Sequence, residues 1–144
     1  MFEVVNLVKV QGYEIPEGLY YSKEWIWVKV ENGKVLIGIT DYAQKQLNEV
    51  VFAELPNVGD EVVKGEPFGT VESVKSVSDL VAPVSGKISE VNKKVSDNPE
   101  TINEDSYNEG WIIVISPTNL EDDLGTLMNF EQSVEWHKEL AKGS

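Results

Sequence analysis

The chain has no cysteine among its 144 residues. No disulfide staples it, no thiol can act as nucleophile or metal ligand, and any sulfur chemistry must come from a cofactor or a partner. Arginine is absent as well: all 12 cationic side chains are lysines, set against 25 acidic residues for a formal charge of −13. That balance repels phosphates and lacks the planar bidentate readers of bases, which argues against nucleic acid as a partner. An acidic surface suits steering toward basic patches on other proteins, and plain solvation explains it equally well. The single histidine, His137, is too little for a zinc site in a chain without cysteine, and its place near the C-terminus suits packing rather than a Ser-His pair. Long apolar runs are missing: the longest, Trp111 to Ile115, has a strand's length, far short of the ~18 residues of a membrane span. No glycine spacing matches a nucleotide-binding loop, and Gly59, Gly65, Gly69 and Gly86 read as turn and bulge glycines. Glu104-Asp105 and Glu121-Asp122-Asp123 lack the alternation of a calcium loop. The first residues carry no basic leader, so a cytoplasmic protein, not membrane-bound and monomeric, is the expectation.

What is there is mostly strand, in a length that fits one domain. Met1 to Val10 alternates loosely and reads either as an added edge strand or as a flexible leader, with a turn following at Pro16-Glu17-Gly18. Tyr20 to Val30 reads as one aromatic, β-branched strand on which Trp25 and Trp27 share a face, and Glu31-Asn32-Gly33-Lys34 turns it into Val35 to Ile39. Thr40 or Asp41 caps a short helix through Leu47, Asp41 and Gln44 standing at capping-box spacing, and Val50 to Leu55 is the next strand. Val58, Val62 and Gly65 share their spacing with Val91, Val95 and Asn98, a faint echo that suggests a sandwich with approximate internal symmetry. Trp111 to Ile115 returns as a buried strand. Thr118 with Glu121 marks a short helix stopped by Gly125, and Asn129 with Gln132 marks a second, whose Phe130, Val134, His137, Leu140 and Ala141 share a face.

Between these flanks lies the least ordinary stretch. Phe68 to Val71 runs up and Val77 to Val81 runs back, which puts the reversal at Ser73-Val74-Lys75-Ser76. Two-residue hairpin turns favour Asn-Gly or Asp-Gly because both central residues need positive φ, yet here the centre is a β-branched valine followed by a lysine. Pairing about that centre sets Phe68 opposite Val81 and Thr70 opposite Asp79, and holds Lys75 out in water. A lysine so exposed is suited to being acylated by another enzyme rather than to forming a buried Schiff base.

Glu72 to Leu80 (Glu-Ser-Val-Lys-Ser-Val-Ser-Asp-Leu), followed by Ala82-Pro83-Val84-Ser85-Gly86, resembles the lipoyl-attachment motif of the glycine cleavage system H protein family. Tyr21 to Glu24, Val35 to Gln44, Glu54-Leu55-Pro56, Val58-Gly59-Asp60, Asn98-Pro99-Glu100, Ile102-Asn103 and Gly110-Trp111 extend the similarity over roughly residues 17 to 141. The resemblance implies a mainly β fold, a barrel-sandwich hybrid with flanking short helices and C-terminal helices. Residues 17–116 would form the lipoyl-type domain, 117–144 a helical segment packed on it, and 1–16 an N-terminal extension. It implies lipoate amide-linked to Lys75, with Glu72, Ser73, Val74, Ser76 and Asp79 recognised by the lipoate-attaching enzyme. It implies a carrier and not an enzyme. The arm would take an aminomethyl group from glycine decarboxylase to the aminomethyltransferase and be reoxidised by dihydrolipoyl dehydrogenase. The family usually reads Lys-Glu-His-Glu-Trp where this chain has Lys23-Glu24-Trp25-Ile26-Trp27. The family's glutamate helps hold the loaded arm in a cleft, and Ile26 accepts no hydrogen bond. An H-like carrier serving sulfur oxidation or lipoyl relay would keep Lys75 without that cleft. An unmodified acidic interaction module is the alternative of another class.

Overall fold

The computed structural model describes residues 6–143. Leu7–Val10 (β1) and Tyr13–Pro16 (β2) pair with each other through a turn in which Gln11 and Gly12 have φ of 52° and 85°, the mirror-image turn that matches strand twist. The start of the strand expected from Met1 lies outside the described residues. Tyr20–Tyr21 (β3) and Ile26–Glu31 (β4) are separate strands, joined by a turn at 22–25, where a single strand from Tyr20 to Val30 is expected from sequence. The break falls at Trp25, whose φ of 73° no strand accommodates. Its indole is held there by stacking on Tyr42 and Trp136, at centroid distances of 4.6 and 4.8 Å. Trp25 and Trp27 therefore share no strand face. Asn32 and Gly33, at φ of 53° and 74°, turn β4 into Lys34–Ile39 (β5), as Asn-Gly chemistry dictates.

Asp41–Leu47 (α1) is capped by Thr40, whose hydroxyl accepts from the Ala43 N–H at 3.3 Å. Asp41 makes no capping box; its carboxylate takes the Gln44 side-chain amide and the Glu14 N–H, each at 2.9 Å, and pairs with Lys45 at 3.0 Å. Val50–Glu54 (β6), Glu61–Val62 (β7), Pro67–Ser73 (β8), Val77–Val81 (β9) and Gly86–Val91 (β10) follow, then Lys93–Asp97 (α2), Thr101–Glu104 (α3) and Ile113–Pro117 (β11). The two segments with echoing spacing differ in structure: 58–65 is a turn with β7, and 91–98 is the end of β10 with α2. Leu120–Leu124 (α4) lacks the capping box expected of Thr118, because the Thr118 N–H and hydroxyl both turn to the Ser85 carbonyl, at 3.1 and 3.5 Å. Phe130–Gly143 (α5) has its box: the Asn129 side chain accepts from the Gln132 N–H at 2.8 Å and Gln132 returns the bond at 2.9 Å.

The strands form a six-stranded sheet, ordered β3-β4-β5-β11-β10-β7, and a three-stranded sheet, β6-β8-β9. Their inner faces meet in one core, with Val28, Ile37, Ile88, Ile113 and Ile115 from the first and Val50, Ala53, Val71 and Leu80 from the second. Burying side chains of this size contributes about 1.5–3 kcal/mol each. The opposite face of β3 and β4 carries Tyr21 and Trp27 into a second cluster with Ile15, Leu19 and Tyr107, covered by Phe130 and Val134 of α5. Trp27 lies flat over Gly38, where a Cβ would meet the indole at 2.6 Å, and its N–H donates to the Ser106 carbonyl at 2.9 Å. Burial pushes the phenols of Tyr21 and Tyr107 far up, so both stay neutral donors, to the carbonyls of Pro16 and Glu14. The three-stranded sheet thus sits on a rigid base and presents its central hairpin outward.

Candidate functional site

The β8-β9 hairpin pairs Glu72 with Val77, Val71 with Ser78 and Thr70 with Asp79. The lower end departs from the sequence expectation. Val81 faces Pro67 rather than Phe68, because a bulge between Pro67 and Gly69 inserts Phe68 as an extra residue. Gly69 is required there, since a Cβ would collide with the Glu54 carbonyl of β6.

At the tip, neither Val74 nor Lys75 has positive φ. The turn is made by a neighbour. Ser73, buried at its backbone end of the tip, donates its N–H to the Ser76 carbonyl at 2.8 Å, as a hairpin pair should. The return bond is replaced: the Ser76 N–H and the Lys75 N–H both point to Ser73 Oγ, at 3.2 and 3.3 Å. The serine hydroxyl does what an unusual backbone conformation does in other hairpins, and the tip residues stay free of conformational demands. Lys75 is exposed and makes no ion pair among the described residues. It is flanked by Val74 at 81 % and Val77 at 63 % exposure. The residues picked out from sequence thus fall in two groups. Glu72, Ser73, Val74, Lys75 and Ser76 gather at the tip, and Asp79 sits on the neighbouring strand across from Thr70.

Beside the hairpin runs a groove of about 400 Å³, bounded on one side by Ser76 to Leu80 and on the other by Trp25, Ile26, Tyr42 and Leu47. The family resemblance implies a cleft near Trp25, Ile26 and Trp27; Trp25 and Ile26 line this groove, and Trp27 does not. Tyr42 and Leu47, and Trp136 behind Trp25, come from remote helices and carry no sequence signal for this role.

A family model for the glycine cleavage H-protein matches residues 19–140. The chain belongs to the glycine cleavage H-protein family. It is 53% identical over 135 residues to the probable glycine cleavage system H protein of Pyrococcus abyssi, covering 93% of this chain and all of that one. It is 57% identical over 109 residues to the glycine cleavage system H protein of Anaeromyxobacter sp. strain K, covering 76% and 85% of the two chains. The crystal structure of a glycine cleavage system H protein from Mycobacterium marinum superposes with a TM-score of 0.79 at 38% identity, covering 85% of this chain and 98% of that one. The fold of this H-protein family member is accordingly the barrel-sandwich hybrid, and the helices packed beside the sheets belong to it. Among the described residues no helix is long and apolar enough to cross a membrane.

Proposed function

We propose that this chain is a lipoyl carrier of the glycine cleavage system, with Lys75 as the acylated residue. The observation that supports this most is the tip itself: an unpaired, exposed lysine on a turn whose geometry is supplied by Ser73 rather than by the tip residues. A lipoate-attaching enzyme must bring an activated acyl group to the amine in a fixed geometry, and small misplacements of reacting atoms are costly in rate. Ser73 would fix that geometry. Val74 and Val77 offer apolar contact on either side of the lysine, while Glu72, Ser76 and Asp79 supply polar contacts for recognition. The residues present fit the group: the amine is accessible, and an apolar groove lies within reach of an arm attached to it.

Lipoate on Lys75 would supply a dithiolane that accepts a one-carbon fragment with reduction of its disulfide and is restored by oxidation. Everything else asked of the chain is presentation. In this reading it catalyses nothing, works in the cytoplasm as a monomer, and visits glycine decarboxylase, the aminomethyltransferase and dihydrolipoyl dehydrogenase in turn. Its charge of −13 favours fast, salt-sensitive encounters with basic docking faces, which suits short visits. Residues 17–116 serve as the lipoyl-type domain, 117–144 as the helical segment packed on it, and 1–16 as an extension. The test is reconstitution. Lipoylated protein incubated with glycine decarboxylase and glycine should gain an aminomethyl group on one sulfur and a hydrogen on the other, with release of carbon dioxide, and adding the aminomethyltransferase and tetrahydrofolate should leave the dithiol, two hydrogens heavier than the starting disulfide. Lipoylated protein that is never loaded would refute the glycine-cleavage assignment.

A further inference from the structure

We propose, on the reading of Lys75 as the attachment point, that the outer face of the three-stranded sheet is the docking surface for the enzyme that acylates Lys75, and that Phe52 of β6 is its apolar anchor. The register of the sheet defines that face. Ala53, Val71 and Ser78 form one row, with Ala53 and Val71 in the core, so the rows on either side, Phe52-Glu72-Val77 and Glu54-Thr70-Asp79, point the other way, to solvent. Phe52 belongs to that face only because of a bulge. Val50 is buried, and in a regular strand the residue two further on would share its side. The irregularity between Val50 and Phe52 inserts Val51 as an extra residue and turns the phenyl ring outward, where it is 49 % exposed. Val51 is left exposed beside it. A phenylalanine and a valine bared together on the edge strand of a sheet forgo burial and invite aggregation, a liability that contact with a partner removes.

The surroundings of Phe52 give the partner's chemistry. Of the eight large apolar side chains exposed among the described residues, four, Val51, Phe52, Val74 and Val77, border this face, and the last two flank Lys75. The carboxylates of β6, β8 and β9 are Glu54, Glu72 and Asp79, and all three lie on the same face. These strands contain no cation, so Lys75 at the connecting tip is the one positive charge among them. An apolar centre ringed by carboxylates fits a protein surface with an apolar socket ringed by lysine or arginine. The reach of Lys75 selects which protein that is. Before acylation the amine stands at the end of its own four-carbon stem, so the acylating enzyme must lay its surface against the body of the chain beside the tip. Enzymes that work at the far end of an attached arm meet the chain from further away. Two strand spacings put Phe52 about 10 Å across from Val77, one row below the Ser73-Ser76 closure, well inside the footprint of an ordinary interface. Phe52 and Val51 are far from Lys75 in sequence and join its surroundings through the pairing of β6 with β8.

The test uses the purified full chain without an adduct, a lipoate ligase, lipoate and ATP, and follows adduct formation by intact mass. Phe52→Ser should raise the KM for the chain about tenfold and change kcat by less than about twofold, because the ring grips the enzyme away from the reacting amine, and Phe52→Leu should recover most of the loss. Glu54→Lys should raise KM severalfold at low salt, with the effect shrinking at high salt. Val63→Ser removes a side chain of similar exposure, 51 %, on the turn between β7 and β8 at the end of the hairpin away from Lys75, and should leave KM unchanged. Equal KM values for wild type and Phe52→Ser would overturn the proposal while the adduct on Lys75 still stood. So would a Phe52→Ser defect confined to loading by glycine decarboxylase, which would give the face to that enzyme, or one confined to a dimer seen by sedimentation, which would give it to a second copy of the chain. A wild-type chain that takes no lipoate would instead bring down the carrier reading beneath it.

Discussion

The turn at Asn32-Gly33 and the turn at Val74-Lys75 each close an antiparallel pair, by opposite means. In the first, the tip residues do the work: both have positive φ, and the adjoining Glu31 and Lys34 simply face each other. In the second, the tip residues have ordinary backbone angles and Ser73, one step outside, takes both returning N–H groups on its hydroxyl. Moving the turn-forming chemistry off the tip is what leaves the tip free for a lysine. A hairpin built like the first demands positive φ of both tip residues, a backbone conformation that a β-branched valine beside the lysine does not readily adopt.

The contrast can be broken in order of expected effect. Exchanging the tip residues (Val74→Lys with Lys75→Val) moves the amine by one position and to the other side of the hairpin. The initial rate of lipoylation, followed by mass spectrometry, should fall by about a hundredfold or more with the fold unchanged. Ser73→Ala leaves two N–H groups without their acceptor and should slow lipoylation about tenfold, with Ser73→Thr restoring it; because the turn is exposed, stability should change by only ~1 kcal/mol. Gly33→Ala does the reverse: an L side chain at φ 74° costs ~1–2 kcal/mol, read from denaturant midpoints, and lipoylation proceeds at the wild-type rate.

The smallest effect concerns the buttress behind the groove. His137 is 1 % exposed, its Nδ1 is 2.7 Å from the Ser133 carbonyl, and Nε2 has no partner among the described residues. Burial lowers its pKa below the ordinary 6.5, outweighing the Ser133 carbonyl and the Asp41 charge, which act in the opposite direction. Its neutral form therefore contributes stability that is complete above pH ~6.5 and is lost as pH falls toward its lower folded value. Urea titrations across that window should show stability falling with pH in the wild-type chain and a flatter profile in His137→Phe.

Local chemistry made much of the fold legible. Asn32-Gly33 and the Asn129/Gln132 box carry their geometry in neighbouring residues, and alternation placed the pairing of Thr70 with Asp79 correctly. The Lys75 tip stood out because its turn lacked the usual residues. What was not legible depends on distant partners. Trp25 breaks its strand because Tyr42 and Trp136 hold it. Thr118 abandons its box for the Ser85 carbonyl, and Phe68 is bulged out where Gly69 crosses Glu54. The same holds for the groove, whose walls come from α1, the 22–25 turn and β9, and which no single stretch of sequence announces.

The measurement that bears most directly on the central claim is peptide mass mapping after co-expression with a lipoate-attaching enzyme. One lipoyl adduct is expected, on the peptide containing Lys75, and none in Lys75→Ala. An unmodified wild-type chain, or an adduct that persists in Lys75→Ala, would contradict it.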